Sequence, residues 1–326
     1  MRLWLRTLIV GLGVGAASEA LAADSEMPPR QDHSSGIDPG GRLAYASLEE
    51  LDSPQGVAAD APPRTYKDNE KRNRHELTIG AGGGVVPSYV GSDNYVFTPG
   101  LAIRGKIDDF SFSSRGTNFN VDLWREAPGA DTDIIFGPAL NYRADRTRRI
   151  SDPQVRLLGK LDAGWEIGGW IGVRQKHVFF KKGYDTLSFR TRIVKEIGGG
   201  HGSYMVSPSV DYGLALSRSF FMGLSASADY VGKGFGRQYF NVTPAGSAAS
   251  GLPVYTAAGQ KAGWLRTGFS LAMVKSLSGG LNDKGWSFLV LGNLSSLQGR
   301  YKNSPIVSIA GSRTQKLIGA GFAYTF

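Results

Sequence analysis

From Glu76 to the carboxyl terminus, apolar and polar residues alternate with a period of two. The clearest run is MVSPSVDYGLALS, where Val206, Pro208, Val210, Tyr212, Leu214 and Leu216 alternate with Ser207, Ser209, Asp211, Gly213, Ala215 and Ser217. Such a period puts successive side chains on opposite faces of a β-strand. After a tight turn, Phe220, Met222, Leu224, Ala226, Ala228 and Tyr230 alternate with Gly223, Ser225, Ser227 and Asp229, which predicts a hairpin with one apolar face. Leu187, Phe189, Thr191 and Ile193 likewise oppose Ser188, Arg190, Arg192 and Glu196, and Leu265, Phe269, Leu271 and Met273 oppose Arg266 and Ser270. Charges keep to one face. A soluble sandwich would share this alternation, but strands of roughly 10 to 14 residues exceed its usual 5 or 6 and suit a tilted bilayer crossing.

Twelve segments read this way: 76–86, 94–105, 108–114, 118–126, 132–144, 163–179, 184–197, 203–216, 219–231, 263–276, 285–296 and 313–326. The sixth invites a break at Gly168 and Gly169, but an extra strand would make the count odd, and bacterial barrels are even-stranded. Kept whole, it leaves alternate connections short (KIDD, APGAD, KKGY, LSRS, SGGLNDKG) and puts the longest on the opposite side, as periplasmic turns and outside loops would be. The last strand, LIGAGFAYTF, sets Ile318, Ala320, Phe322, Tyr324 and Phe326 on one face and ends on an aromatic residue. It resembles the terminal signal read by the outer-membrane barrel assembly machinery. The expected fold is all-β: a transmembrane antiparallel up-and-down β-barrel of about twelve strands, its carboxyl end periplasmic.

The amino-terminal part differs. Arg2 and Arg6, an apolar stretch from Leu8 to Ala17, and Ala20 and Ala22 flanking Leu21 form a secretory signal peptide over 1–22. The apolar stretch is well short of the roughly 20 residues a membrane helix needs. Residues 23–75 are rich in Pro, Gly, Asp and Ser with few aromatic or β-branched residues, and read as a disordered periplasmic tail. The barrel domain is 76–326.

Composition agrees. Gly 45 and 11% aromatic residues suit strands and turns, and a mean hydropathy of −0.19 is compatible with a barrel whose strands alternate lipid-facing and lumen-facing residues. With no cysteine, disulfides, thiolate nucleophiles and cysteine metal sites are excluded. Residues 24–75 carry 7 Lys/Arg against 10 Asp/Glu, and residues 76–326 carry 28 against 17, so an acidic tail precedes a basic body. The implied location is the outer membrane of a Gram-negative cell, and that compartment argues against nucleic acid as a partner.

Several segments resemble the MltA-interacting protein (MipA) and outer-membrane protein V (OmpV) family. They are Pro87-Ser88-Tyr89-Val90-Gly91-Ser92-Asp93 after the first strand, Tyr239-Phe240-Asn241-Val242-Thr243-Pro244 with Ser250-Gly251-Leu252-Pro253-Val254-Tyr255 and Gly259, and Ser304-Pro305-Ile306-Val307 with Gly311, Ser312 and Gln315. The resemblance extends over 76–326 and leaves the tail uncovered. It implies a scaffolding role that bridges a lytic transglycosylase and a bifunctional murein synthase.

Candidate chemistry is sparse. A lipid-acting hydrolase would pair Ser with His, yet His33, His75, His177 and His201 have no Ser and carboxylate at a telling spacing, and each reads as a loop or interfacial histidine. The Gly runs at 81–85 and 198–202 join no strand to a helix, so they read as turns and not phosphate cradles. No cofactor is implied. The lumen face is expected to present Glu166, Arg174, Lys176, Arg190, Arg192, Glu196, Asp211, Asp229 and Arg266, whose mixed signs predict ion pairs across a narrow lumen, with an anion-favouring channel as the alternative. Arg146, Arg148, Arg149, Arg156 and Lys160 form a basic outside loop that could meet lipopolysaccharide phosphates.

Overall fold

A computed structural model of the chain describes residues 75–107, 110–115, 117–123, 130–180 and 184–326. The expected signal peptide and, His75 apart, the tail lie outside the described residues. Among the described residues, twelve strands close into one antiparallel barrel: β1 (His75–Pro87), β2 (Tyr95–Ile107), β3 (Phe110–Arg115), β4 (Asn118–Asp122), β5 (Thr132–Arg143), β6 (Gly164–Lys176), β7 (Tyr184–Glu196), β8 (Tyr204–Ser217), β9 (Phe220–Val231), β10 (Gly263–Ser276), β11 (Gly285–Leu297) and β12 (Thr314–Thr325). Each strand pairs with its sequence neighbours, and β1 pairs with β12 to close the wall. The all-β, up-and-down architecture is the one the alternation predicts. Strand β6 runs unbroken through Gly168 and Gly169 but stops at Lys176, because His177 turns away with a φ of +55°.

Outward positions such as Phe97, Ile171, Phe189, Ile193, Phe269 and Ile318 form an exposed apolar belt. That surface belongs against hydrocarbon, where a basic side chain at mid-bilayer would cost about 2–4 kcal/mol. Leu265 departs from the expected outward face. A bulge between Trp264 and Arg266 inserts one residue into β10, so Trp264 points out and Leu265 turns inward to 1% exposure.

Strand prolines mark interruptions in the ladder, as a residue without an N–H must. Pro208 pairs with Thr191 of β7 where the β8 to β9 register skips Ser207 and Pro208. Pro138 pairs with Gly169 of β6 beyond the last β4 partner, Ala139. Pro99 pairs with Gly83 of β1 beyond the last β3 partner, at the Ala102 and Arg115 pair. Strands β3 and β4 are only 6 and 5 residues long, and β4 ends at Asp122 and not at the expected 126.

Where β1 meets β12, glycines face each other across the closing ladder, Gly82 opposite Gly321 and Gly84 opposite Gly319. A Cβ on Gly82 would lie 2.3 Å from the Ala320 carbonyl oxygen, so the seam closes only because these positions are bare. At its end the Phe326 N–H donates to Leu77 O at 2.9 Å, which fixes the chain terminus to β1 on what is here called the terminal rim.

The opposite, loop rim holds the helices. They are α1 (Pro153–Leu157), α2 (Lys233–Phe240), α3 (Pro244–Ser250), α4 (Gly299–Lys302) and α5 (Pro305–Ser308), with a 3-10 turn at Ala257–Gly259. Helix α3 is locally encoded: the Thr243 hydroxyl accepts from Gly246 N–H, Pro244 opens the first turn, and Gly251 ends it with a φ of +73°.

Candidate functional site

The loop between β9 and β10 folds back onto the barrel interior. Phe235, Tyr239 and Phe240 of α2 are buried with Tyr301 of α4 and Val307 of α5 against the inward wall residues Val194, Met205, Val231, Leu265 and Leu297. The rings meet in tilted or edge contacts, Phe235 to Tyr239 at 4.6 Å and Phe240 to Tyr301 at 5.3 Å. Helix α2 lies so near the 3-10 turn that a Cβ on Gly236 would sit 2.0 Å from Ala258 O. A second buried group joins Tyr89, Ile150, Val155, Val242, Leu252, Ile306 and Ala310 from four loops. The Tyr89 hydroxyl donates to Ala310 O at 2.8 Å, and burial, with Asp152 nearby, pushes it well above the ordinary tyrosine range. Each buried aromatic removes about 150–250 Å² from water, which makes this plug a core in its own right.

Beneath the plug lies a buried polar cluster. Glu166, fully buried, accepts from Arg143 Nε at 2.6 Å, Asn141 Nδ2 at 2.7 Å and His201 Nε2 at 3.0 Å. Because His201 Nδ1 accepts from the Ser203 N–H at 3.1 Å, the ring proton is assigned to Nε2 and the imidazole is neutral. The His201 ring stands edge-on to Phe235 at 5.1 Å, and the Arg143 guanidinium lies over the other partner of that contact, Phe235, also at 5.1 Å. Glu196 accepts from the N–H groups of Gly198, Gly200 and Gly202 at 2.6, 2.9 and 2.6 Å. The GGGHG run is therefore a nest around a protein carboxylate. Gly199 and Gly202, at φ of +86° and +58°, supply the left-handed backbone it needs.

Of the residues expected on the lumen face, Glu166, Arg192, Glu196, Asp211, Asp229 and Arg266 are buried. Three ion pairs run along the wall between adjacent strands. Arg266 of β10 meets Asp229 of β9 at 2.6 Å, Arg190 of β7 meets Asp211 of β8 at 2.9 Å, and Lys176 of β6 meets Asp133 of β5 at 2.8 Å. Neighbouring strands bring long side chains into reach, whereas the lumen centre at the loop rim is occupied by the plug. Arg174 and Arg192 share the inward register of Lys176 and Arg190. The basic loop divides: Arg148, Arg149, Arg156 and Lys160 are exposed, while Arg146 is buried beneath them, with Nη1 donating to Tyr239 O and Nη2 to Gly159 O, both at 3.4 Å. Burial holds the Arg146 guanidinium below its ordinary pKa. Arg146 is therefore corrected from an outside contact to a plug residue.

Sequence reading missed Asp133, Asn141 and Arg143, although the same alternation in TDIIFGPALNYR marks them as inward. It also missed the role of His201, which depends on a loop packing onto a distant helix. His177 pairs with Asp131 at 2.9 Å on the terminal rim. Among the described residues, no group of three His, Asp or Glu side chains could hold a metal ion. A cavity of about 50 Å³ lies beside Arg143, Asp145, Arg266, Asn293 and Gln315, room for a few waters.

A closed wall with a lipid-facing apolar belt, an inward charged face and a loop plug defines an outer-membrane β-barrel. Residues 79–326 match the family described as "MltA-interacting protein MipA", and the chain belongs to that family. No curated protein matches the chain. Among solved structures, similarity is found to "KdgM porin" (9% identity, 76% of this chain and 99% of that one, TM-score 0.33). It is also found to "Anion-selective porin from Comamonas acidovorans" (11%, 77% and 98%, 0.30) and to "CymD monoaromatic hydrocarbon channel" (10%, 76% and 87%, 0.32).

Proposed function

We propose that the chain is a non-enzymatic scaffolding barrel of the outer membrane, with the terminal rim in the periplasm. Its periplasmic turns and the acidic segment 23–75 contact murein enzymes. The observation that carries this reading is the plug of buried loop side chains packed on the inward wall at the loop rim. Folded loops close that end of the lumen, the cavity beside them is about 50 Å³, and function falls to the surfaces. The family description names an interaction with MltA, which supports a murein enzyme as partner, with a lytic transglycosylase and a murein synthase as the proposed pair. In-cell crosslinking and co-purification test it. The full chain is expected to recover both enzymes, and a chain lacking 24–75 to recover several-fold less. Equal recovery removes the tail's role, and no recovery from the full chain sinks the scaffold.

A narrow channel is the second reading, favoured by the inward basic residues Arg174, Lys176, Arg190 and Arg192. A lipid hydrolase has little support, since His201 is spent on Glu166 and a backbone N–H and is buried under Phe235.

A further inference from the structure

Strands β3 and β4, of 6 and 5 residues, leave one sector of the wall short. Strand β2 runs from Tyr95, but its ladder with β3 starts only at Ala102, so among the described residues seven, Tyr95–Leu101, have no strand beside them on that edge. The loop after β5 stands there instead. Asp145 Oδ1 accepts from Val90 N–H at 3.0 Å, and Arg149 Nη1 donates to Phe97 O at 3.1 Å. Free strand edges usually invite another strand, yet this one offers Pro99, which has no N–H, and its Phe97 carbonyl is already capped by Arg149. The edge is closed to backbone pairing but open to an apolar chain: Tyr95, Phe97 and Leu101 on β2 and Phe119 on β4 are exposed outward, with half-buried Tyr142 next to them, its ring 4.8 Å from that of Trp165.

Charge singles out the same end. By sequence, the connections of the loop rim (88–94, 116–117, 144–163, 197–203, 232–262 and 298–313) hold 11 Lys/Arg and 4 Asp/Glu. Those of the terminal rim (108–109, 123–131, 177–183, 218–219 and 277–284) hold 5 of each. Five of the 11 lie in 144–163, directly beside the free edge, and four of these, Arg148, Arg149, Arg156 and Lys160, are exposed. Of the three acids in that loop, Asp145 is buried, Asp152 is engaged as the N-cap of α1, where its carboxylate accepts from Val155 N–H at 2.8 Å, and Asp162 is exposed.

We infer that this sector is a binding site for the phosphorylated glycolipid of the outer leaflet, with an acyl chain lying along the free edge of β2 and phosphate held by Arg148, Arg149, Arg156 and Lys160. The site rests on the proposed orientation and not on the murein role. An apolar strip ending at a basic cluster matches an amphiphile with an anionic head, and arginine forks bind phosphate in two parallel charge-assisted bonds.

Photoreactive side chains placed in living cells at Phe97 and Tyr142, with Ile193 and Trp264 as lipid-facing controls elsewhere near the same rim, test the site. Lipopolysaccharide adducts are expected roughly tenfold more often at the first pair, the ratio of about 1.4 kcal/mol of preferential binding. Arg148→Ser with Arg149→Ser should remove the excess, Arg148→Lys with Arg149→Lys should keep most of it, and Arg156→Ser with Lys160→Ser, which leaves the Phe97 contact intact, should lower it. Equal lipopolysaccharide adducts at all four positions, or an excess indifferent to these substitutions, overturns the site. Phospholipid adducts at all four positions overturn the orientation instead.

Discussion

From β5 to β10 the inward positions carry Asp133, Arg143, Glu166, Arg190, Asp211, Asp229 and Arg266, whereas the β12 to β1 seam carries Gly319, Gly321, Gly82 and Gly84. Both stretches complete the same wall. In the first, side chains bridge adjacent strands and one buried carboxylate gathers three donors. In the second, Thr78 and Thr325 join their hydroxyls at 2.9 Å near one end. The glycine pairs have no side chains to bridge, and backbone approaches backbone so closely at Gly82 that an added methyl group has nowhere to go. The charged wall is held by what its residues reach, and the seam by what its residues lack. Mutation should therefore hurt by deletion on one side and by addition on the other.

Glu166→Ala should be the most damaging change, since it strands Arg143, Asn141 and His201 in a buried site. A loss of about 3–5 kcal/mol is expected in barrel unfolding by denaturant, as for a buried ion pair stripped of one partner. A loss under about 1 kcal/mol would mean that water reaches the cluster. Next comes Gly82→Ala, which should cost about 1–3 kcal/mol by overpacking. Gly80→Ala should cost less, because the nearest atom its Cβ would meet is the Ala323 methyl at 3.2 Å, with the Phe322 carbonyl oxygen at 3.4 Å. Equal losses at the two glycines would break the comparison. Arg190→Gln should cost less than about 1 kcal/mol, because this pair keeps side-chain exposures of 18% and 11% and is partly screened.

Tyr301 gives the smallest and most pH-specific effect. Burial raises its hydroxyl from 10.0 to about 12, and the buried oxygen has no hydrogen-bond partner. The folded barrel thus holds this proton more tightly than the unfolded chain does. Its contribution is intact below pH 10 and fades as the pH climbs from there toward 12. Tyr301→Phe should leave stability at neutral pH within about 0.5 kcal/mol and soften the alkaline loss. An unchanged alkaline profile in the variant would assign that loss to other groups.

The wall was legible in the sequence because a period of two needs only local alternation, and an even strand count resolved the Gly168 and Gly169 ambiguity. Leu265 was misread because a bulge leaves no trace in hydrophobic pattern alone. The plug was not legible at all as a plug. YFNVTPAGSAASGLPVY contains the caps of α3, Thr243 and Gly251, but nothing in it says that Phe235 will cover His201 or that Arg146 will lie beneath Tyr239. Those contacts join loops far apart in the chain, and only closure of the barrel brings them together.

Single-channel recording of the purified barrel in planar bilayers bears most directly on the plug at the loop rim. The account predicts a silent membrane with the native chain, and brief openings only when the plug is loosened by Phe235→Ala with Phe240→Ala. Steady conductance from the native chain would contradict it.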